Sequence, residues 1–191
     1  MGVTCHAGEW PVNERFGTGS LDNLRAVLQP QAAEGLEGEG AVSAPLVSRV
    51  GHGIQVVLDP YLLNYMGGEG GKQPVCFECC LTANVGWKVP SSDVHPVREM
   101  VGAGLRVALC CDNLLLSGST DRAPSPSNEI VHFVRDVGMT YEDLAGHRAG
   151  EQCTSFFRLQ GTAVWEQDKI GAWLRTFEHD VRTIIATNVS T

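Results

Sequence analysis

Leu105-Arg106-Val107-Ala108-Leu109-Cys110-Cys111-Asp112-Asn113 is a short apolar run that stops on a carboxylate. Its length and composition read as a buried β-strand ending at a rim. An aspartate at such an end needs a cation or several hydrogen-bond donors around it. The same arrangement recurs upstream. Val3-Thr4-Cys5-His6-Ala7-Gly8-Glu9 stops on a histidine and a glutamate, and Arg49-Val50-Gly51-His52-Gly53 on a histidine between glycines. Val75 to Leu81 adds a strand with β-branched and aromatic content. Four buried strands are therefore expected: Val3 to His6, Leu46 to His52, Val75 to Leu81 and Leu105 to Cys111.

Helices are expected between and after them. Asp22 to Leu28 follows Ser20 as a candidate cap. Asp59 caps a helix that has Pro60 at its first position and runs through Leu63. Pro96 to Gly102 and Asn128 to Val137 come next, with Gly138 as a stop for the second. Thr140-x-x-Asp143 is a capping pair for a helix over Tyr141 to Phe156, and Gln167 to Ile185 forms the last. Strand-helix alternation implies an α/β fold with parallel strands and right-handed crossovers. Such sheets place their sites at strand C-termini, where these motifs fall. A complete eight-stranded barrel takes roughly 250 residues, so four strands with terminal helices make half of a TIM-type (β/α)8 barrel. Residues 1–191 read as a single partial domain. Within it, 31–45 is expected to be a flexible insertion, rich in Gly, Glu and Ala and without apolar periodicity.

Composition narrows the function classes. The chain is 43% hydrophobic and carries a net charge of −8. An acidic chain without a basic run is a poor binder of nucleic acid or membrane surfaces. No apolar run is long enough to span a bilayer, and no secretory signal is visible. Five of the seven cysteines cluster as Cys76, Cys79, Cys80, Cys110 and Cys111. Adjacent pairs on strands are unlike a secreted disulfide framework, so a reducing, cytoplasmic setting is expected.

His6 can ligate a metal through neutral imidazole, and Glu9 can reach a substrate as general acid. Each also has a plain structural reading: His-x-x-Glu alone suits a buried histidine and a loop carboxylate, and Gly-His-Gly alone suits a tight turn. The ordered companions give the motifs their weight. Pro74-Val75-Cys76-Phe77-Glu78-Cys79 is similar to the Pro-Cys-x-x-Cys zinc motif of cytidine-type deaminases but carries an extra valine. On a strand, Cys76 and Cys79 would point to opposite faces, so the cysteines read as small buried hydrophobes. His95, His132, His147 and His179 read as structural or surface residues. Trp10 is placed either at the pocket mouth or in packing.

Taken in order, His6-Ala7-Gly8-Glu9, Gly51-His52-Gly53, Leu81-Thr82-Ala83-Asn84 and Asp112-Asn113 resemble the C-terminal half of adenosine deaminases. The resemblance implies a metal-dependent hydrolase with one Zn2+ per complete site. His6 and Asp112 would be metal ligands, and Glu9 the acid that protonates purine N1. His52 would orient the attacking water or take its proton, and Asn113 would contact the imidazole ring of the purine. Adenine deaminases usually carry aspartate where Gly51 stands, and AMP deaminases cysteine where Ala7 stands. The implied reaction is therefore adenosine or deoxyadenosine to inosine or deoxyinosine, with release of ammonia. The family also has a His-x-His pair in an N-terminal barrel half, and no His-x-His occurs in these residues. A purine nucleoside and a chain supplying that half are the expected partners. The alternatives are an inactive deaminase-like pseudoenzyme and one half of a split enzyme.

Overall fold

The computed structural model describes residues 3–10, 19–29, 45, 47–67, 75–85, 88–112, 125–140, 143, 179–180, 182–184 and 186–187. Nearly all of the expected insertion at 31–45 lies outside the described residues. So do Asn113, His147 and most of the two expected C-terminal helices.

Four strands form one parallel sheet in the order β1-β2-β3-β4: β1 Thr4–Ala7, β2 Arg49–His52, β3 Cys76–Cys79 and β4 Arg106–Leu109. Neighbours in sequence are neighbours in the sheet, as one continuously wound strand-helix series requires. The helices are α1 Gly19–Leu28, α2 Pro60–Gly67, α3 Leu81–Asn84, α4 Val97–Gly102 and α5 Pro126–Val131. Short 3-10 turns at Ile54–Leu58 and Ser92–Val94 follow β2 and precede α4.

Local chemistry explains the helix starts. The Asp59 carboxylate accepts from the backbone N–H groups of Tyr61 (3.0 Å) and Leu62 (3.1 Å), and Pro60 occupies the first helical position. The Arg25 side chain of α1 donates to the same carboxylate at 2.7 Å, tying α1 to α2. Ser125 caps α5 by accepting from Asn128 N at 3.1 Å. Past α5 the chain widens into a π-type turn over His132–Asp136, closed by Val137 N donating to His132 O. Gly138, at φ +73, then ends it. Thr140 and Asp143 form a reciprocal capping pair, Thr140 N donating to Asp143 Oδ2 and Asp143 N to Thr140 Oγ1. Several expected boundaries move. α1 begins at Gly19, so Ser20 sits inside its first turn, α2 continues past Leu63 to Gly67, β2 begins at Arg49 rather than Leu46, β3 stops at Cys79 with Leu81 opening α3, and α5 begins at Pro126.

The two faces of the sheet differ. Register and pleat put Cys5, Val50, Phe77 and Val107 on one face, and the last three are buried in the core. Leu24 and Leu28 of α1, Leu62 of α2, and Val97 and Met100 of α4 belong to the same core. The other face carries Thr4, His6, Arg49, Gly51, Cys76, Glu78, Arg106 and Ala108. An apolar inner face, the ordinary expectation for half of a barrel, is not what these residues form. Arg49 and Glu78 pair across it, and Thr4 and His6 are exposed. β1 is accordingly less buried than its sequence suggests, because it is a sheet edge whose outward residues are polar.

Candidate active site

Three acid-base side chains meet beyond the C-terminal ends of β1, β2 and β4. Glu9 lies in the loop after β1, His52 is the last residue of β2, and Asp112 follows β4. His52 Nε2 stands 3.3 Å from Glu9 Oε1 and 3.7 Å from Asp112 Oδ2. One ligand atom from each residue can be chosen so that all lie within 4.8 Å of one another. His6 stands beside this group rather than within it, its ring centroid 5.1 Å from that of His52. Asn113 lies outside the described residues.

The backbone at His52 explains the convergence. Pleat alternation would send His52 to the face opposite His6, since its register partner is Ala7. Instead His52 adopts φ +61, a left-handed conformation that costs a non-glycine residue about 1–3 kcal/mol. Gly53 follows at φ +62 without that cost. The kink is pinned from both sides: Gly53 N donates to Ala7 O at 3.0 Å, and Cys79 Sγ donates to His52 O at 3.8 Å.

Behind His52 lies a buried polar chain. Asn84 Nδ2 meets His52 Nδ1 at 3.2 Å, and Asn84 Oδ1 meets His95 Nε2 at 3.3 Å. His95 Nδ1 in turn accepts from Val97 N at 3.0 Å. Burial lowers the His52 pKa, with Lys88 and His6 adding to the effect against the pull of Glu9 and Asp112. Burial, then the neighbouring His52, lowers that of His95 to about 4. Glu129, reaching from α5, accepts from Leu81 N at 2.7 Å and Thr82 N at 3.2 Å. It thereby fixes α3, which carries Asn84.

In front of His52, the Lys88 ammonium pairs with Glu9 Oε1 and lies 5.1 Å from the centroid of the Trp10 ring. Trp10 is thus at the mouth of the site, 39% exposed. Sequence reasoning missed Lys88, Glu129 and the part played by Asn84 and His95. Asn84 closes the Leu-Thr-Ala-Asn word, which was the available signal. Lys88 had none, since its bond to Glu9 spans two distant loops. No cysteine belongs to a cluster of metal-ligand geometry among the described residues. Cys76, Cys79 and Cys80 are buried thiols outside any disulfide.

The donor set suits a divalent metal. The gathered groups, one imidazole and two carboxylates with the His6 ring beside them, are mixed nitrogen and oxygen donors of the kind that zinc accepts. Such a cluster lies at the strand ends of a parallel α/β sheet, where these folds place their sites.

Comparison with known proteins makes the class specific. The family model described as adenosine deaminase matches residues 39–145, and the chain belongs to that family. A probable adenosine deaminase of Dictyostelium discoideum is 36% identical over 73 residues, 38% of this chain and 9% of that protein. An adenine deaminase of Chelativorans is 31% identical over 114 residues, 59% of this chain and 27% of that protein. An aminodeoxyfutalosine deaminase of Streptomyces avermitilis is 31% identical over 116 residues, 60% of this chain and 30% of that protein. These matches span less than a third of each relative. Among solved structures, an amidohydrolase with bound zinc from Burkholderia ambifaria overlays the whole chain on 43% of its own length, with TM-score 0.56 and 21% identity. That likeness shows the fold: an open part of a TIM-type barrel.

Proposed function

We propose that the chain supplies the acid-base half of a purine deaminase site that converts adenosine or deoxyadenosine, with water, to inosine or deoxyinosine and ammonia. The observation that carries the reading is the meeting of Glu9, His52 and Asp112, with one ligand atom of each within 4.8 Å of the others, beyond the ends of β1, β2 and β4. His6 and Asp112 would hold one zinc ion. Bound there, zinc supplies Lewis-acid activation of water. Glu9 donates a proton to purine N1 as water adds at C6, which removes the charge that the attack builds. His52 holds the attacking water in line, and Asn113 contacts the five-membered ring. Ammonia then leaves from C6. Lys88 would hold the Glu9 carboxyl in place through Oε1, with the Trp10 ring beside the ammonium.

Gly51 favours a nucleoside over a free base, because adenine deaminases usually carry aspartate at that position. Catalytic zinc normally takes at least three protein ligands. A chain or segment carrying a His-x-His pair would therefore complete the site, in the cytoplasm. The second reading is a deaminase-like protein without turnover that acts through such a partner. The exposed edge of the sheet at Thr4 and His6 favours a covering partner in either case.

The test measures zinc content and ammonia release from adenosine, deoxyadenosine and adenine in the same preparations. The chain is assayed alone and with a partner supplying four further strands and their His-x-His. Release from the nucleosides that Glu9→Gln abolishes, with zinc retained, is the expected result. Release from adenine alone would reassign the substrate. No release in any combination would leave the non-catalytic reading.

A further inference from the structure

We infer that Asn84 and His95 are positioning residues that lock His52 in the tautomer bearing its proton on Nε2. The inference starts from a donor whose identity is not in question, the backbone N–H of Val97. It points at His95 Nδ1, at 3.0 Å, so that nitrogen must be the unprotonated acceptor. The His95 proton therefore sits on Nε2. That N–H faces Asn84 at 3.3 Å, so the atom it meets must be the amide oxygen. The Asn84 NH2 group is then turned toward His52 Nδ1 at 3.2 Å, and Nδ1 must accept. The one proton of a neutral His52 is left for Nε2. Each step fixes the next, and the amide orientation comes out as a result.

The front of the ring gives the same answer independently. His52 Nε2 faces two carboxylate oxygens, Glu9 at 3.3 Å and Asp112 at 3.7 Å. A lone pair aimed at two acceptors is repelled, whereas an N–H is attracted. Asn84 is 0% exposed and His95 2%, so no water competes for the Nδ1 side of the His52 ring.

Two consequences follow for the site. An Nε2 that carries hydrogen cannot ligate a metal, so His52 stays outside the ligand set although it lies within ligand distance of Glu9 and Asp112. Resting on the deaminase reading, the second is that His52 directs the attacking water by donating a hydrogen bond to its oxygen and does not take its proton. In this arrangement the Asn84 amide does for His52 what a carboxylate could not. A carboxylate has only acceptors and would demand a proton on Nδ1.

The experiment reads the tautomer directly, by long-range proton-nitrogen correlation NMR on the full 15N-labelled chain, with and without zinc. His52 is assigned by the signal lost in His52→Gln. The expected pattern is a protonated Nε2 and an unprotonated Nδ1 for both His52 and His95, unchanged by zinc. Asn84→Asp should move a proton onto His52 Nδ1. A wild-type His52 protonated on Nδ1 would overturn the inference, and this measurement needs no variant of Asn84 to fold. A folded Asn84→Asp chain with an unchanged His52 pattern would overturn it too. The outcome is separable from turnover. A chain that makes no ammonia but shows Nε2–H on His52 refutes only the deaminase reading; one that makes ammonia with Nδ1–H refutes only the lock.

Discussion

The His6 imidazole occupies the space that a side chain on Gly51 would need. A Cβ built at residue 51 would stand 2.9 Å from His6 Cδ2 and 3.0 Å from Cγ. The two residues are register partners on β1 and β2, so the ring folds across the neighbouring strand toward His52. Gly51 is therefore a seat for a candidate metal ligand, whatever its backbone conformation.

Gly51→Ala should displace the ring. His6 is exposed, so it can swing outward with little loss of stability, within about 0.5 kcal/mol as for most surface changes. Zinc affinity should fall on the order of 10–100-fold, as when a group that orients a ligand is removed. Zinc titration beside denaturant unfolding checks both halves. A large stability loss with unchanged zinc affinity would contradict the seat.

The sheet was legible because its signal is local. Runs such as Val107 to Leu109 are too short and apolar for anything but strands, and Asp59-Pro60 announces a helix by its own chemistry. Glu9, His52 and Asp112 were legible because each sits where a strand stops. What failed is long-range or depends on dihedrals. Lys88 reaches Glu9 from another loop, and Glu129 reaches α3 from α5, with no periodicity to mark either. The left-handed turn at His52 could not be read, since histidine seldom adopts it. The polar inner face was not legible either, because nothing local marks Arg49 and Glu78 as partners across neighbouring strands.

Asp59 should make the fold acid-sensitive. Burial works to raise its pKa, but the Arg25 bond and the N–H groups of Leu62 and Tyr61 outweigh it, so the net shift is downward. A lowered carboxylate contributes stability that is present above its ordinary value and is lost as pH falls through the folded value. Asp59→Asn keeps a capping oxygen but not the charge. The wild type should therefore be the more stable at pH 7 and lose that advantage below about pH 4, near the ordinary aspartate value. Asp59→Ala should cost about 1 kcal/mol more, for the lost cap. Urea unfolding of the three chains across this range is the measurement, and a constant difference between wild type and Asp59→Asn would rule out the linkage.

Glu129 should act in the opposite sense. Burial raises its pKa, against the pull of the Thr82 and Leu81 donors. A raised carboxyl contributes stability that is fully present below its ordinary value and is lost as pH climbs through the folded value. Relative to Glu129→Gln, the wild type should lose ground as pH rises from about 4 upward, the ordinary glutamate value. Glu129→Ala should be destabilised throughout by about 1–3 kcal/mol, because Leu81 N and Thr82 N are left without acceptors in the interior. Since α3 carries Asn84, the same variant should also blur the His52 tautomer in the NMR experiment. A Glu129→Ala chain as stable as wild type would show that α3 needs no anchor.

The Arg49–Glu78 pair tests what lies over the inner face. Both side chains are largely but not fully buried, 12% and 25% exposed. Removing one partner leaves the other charged and poorly solvated, so Arg49→Met and Glu78→Gln should each destabilise the chain. The double variant should recover part of the loss, because the penalty of the orphaned charge disappears. In the chain alone both side chains keep some contact with water, so salt should weaken the coupling between the two residues. Under a docked barrel half, water leaves, the pair is screened far less, and the coupling should become nearly independent of salt. The double-mutant cycle, run by unfolding at low and high salt with and without the partner chain, therefore reports on closure of the barrel without requiring turnover. Coupling that stays equally salt-sensitive in the presence of bound partner would mean that the partner docks elsewhere and leaves the polar face of β1 to β4 uncovered.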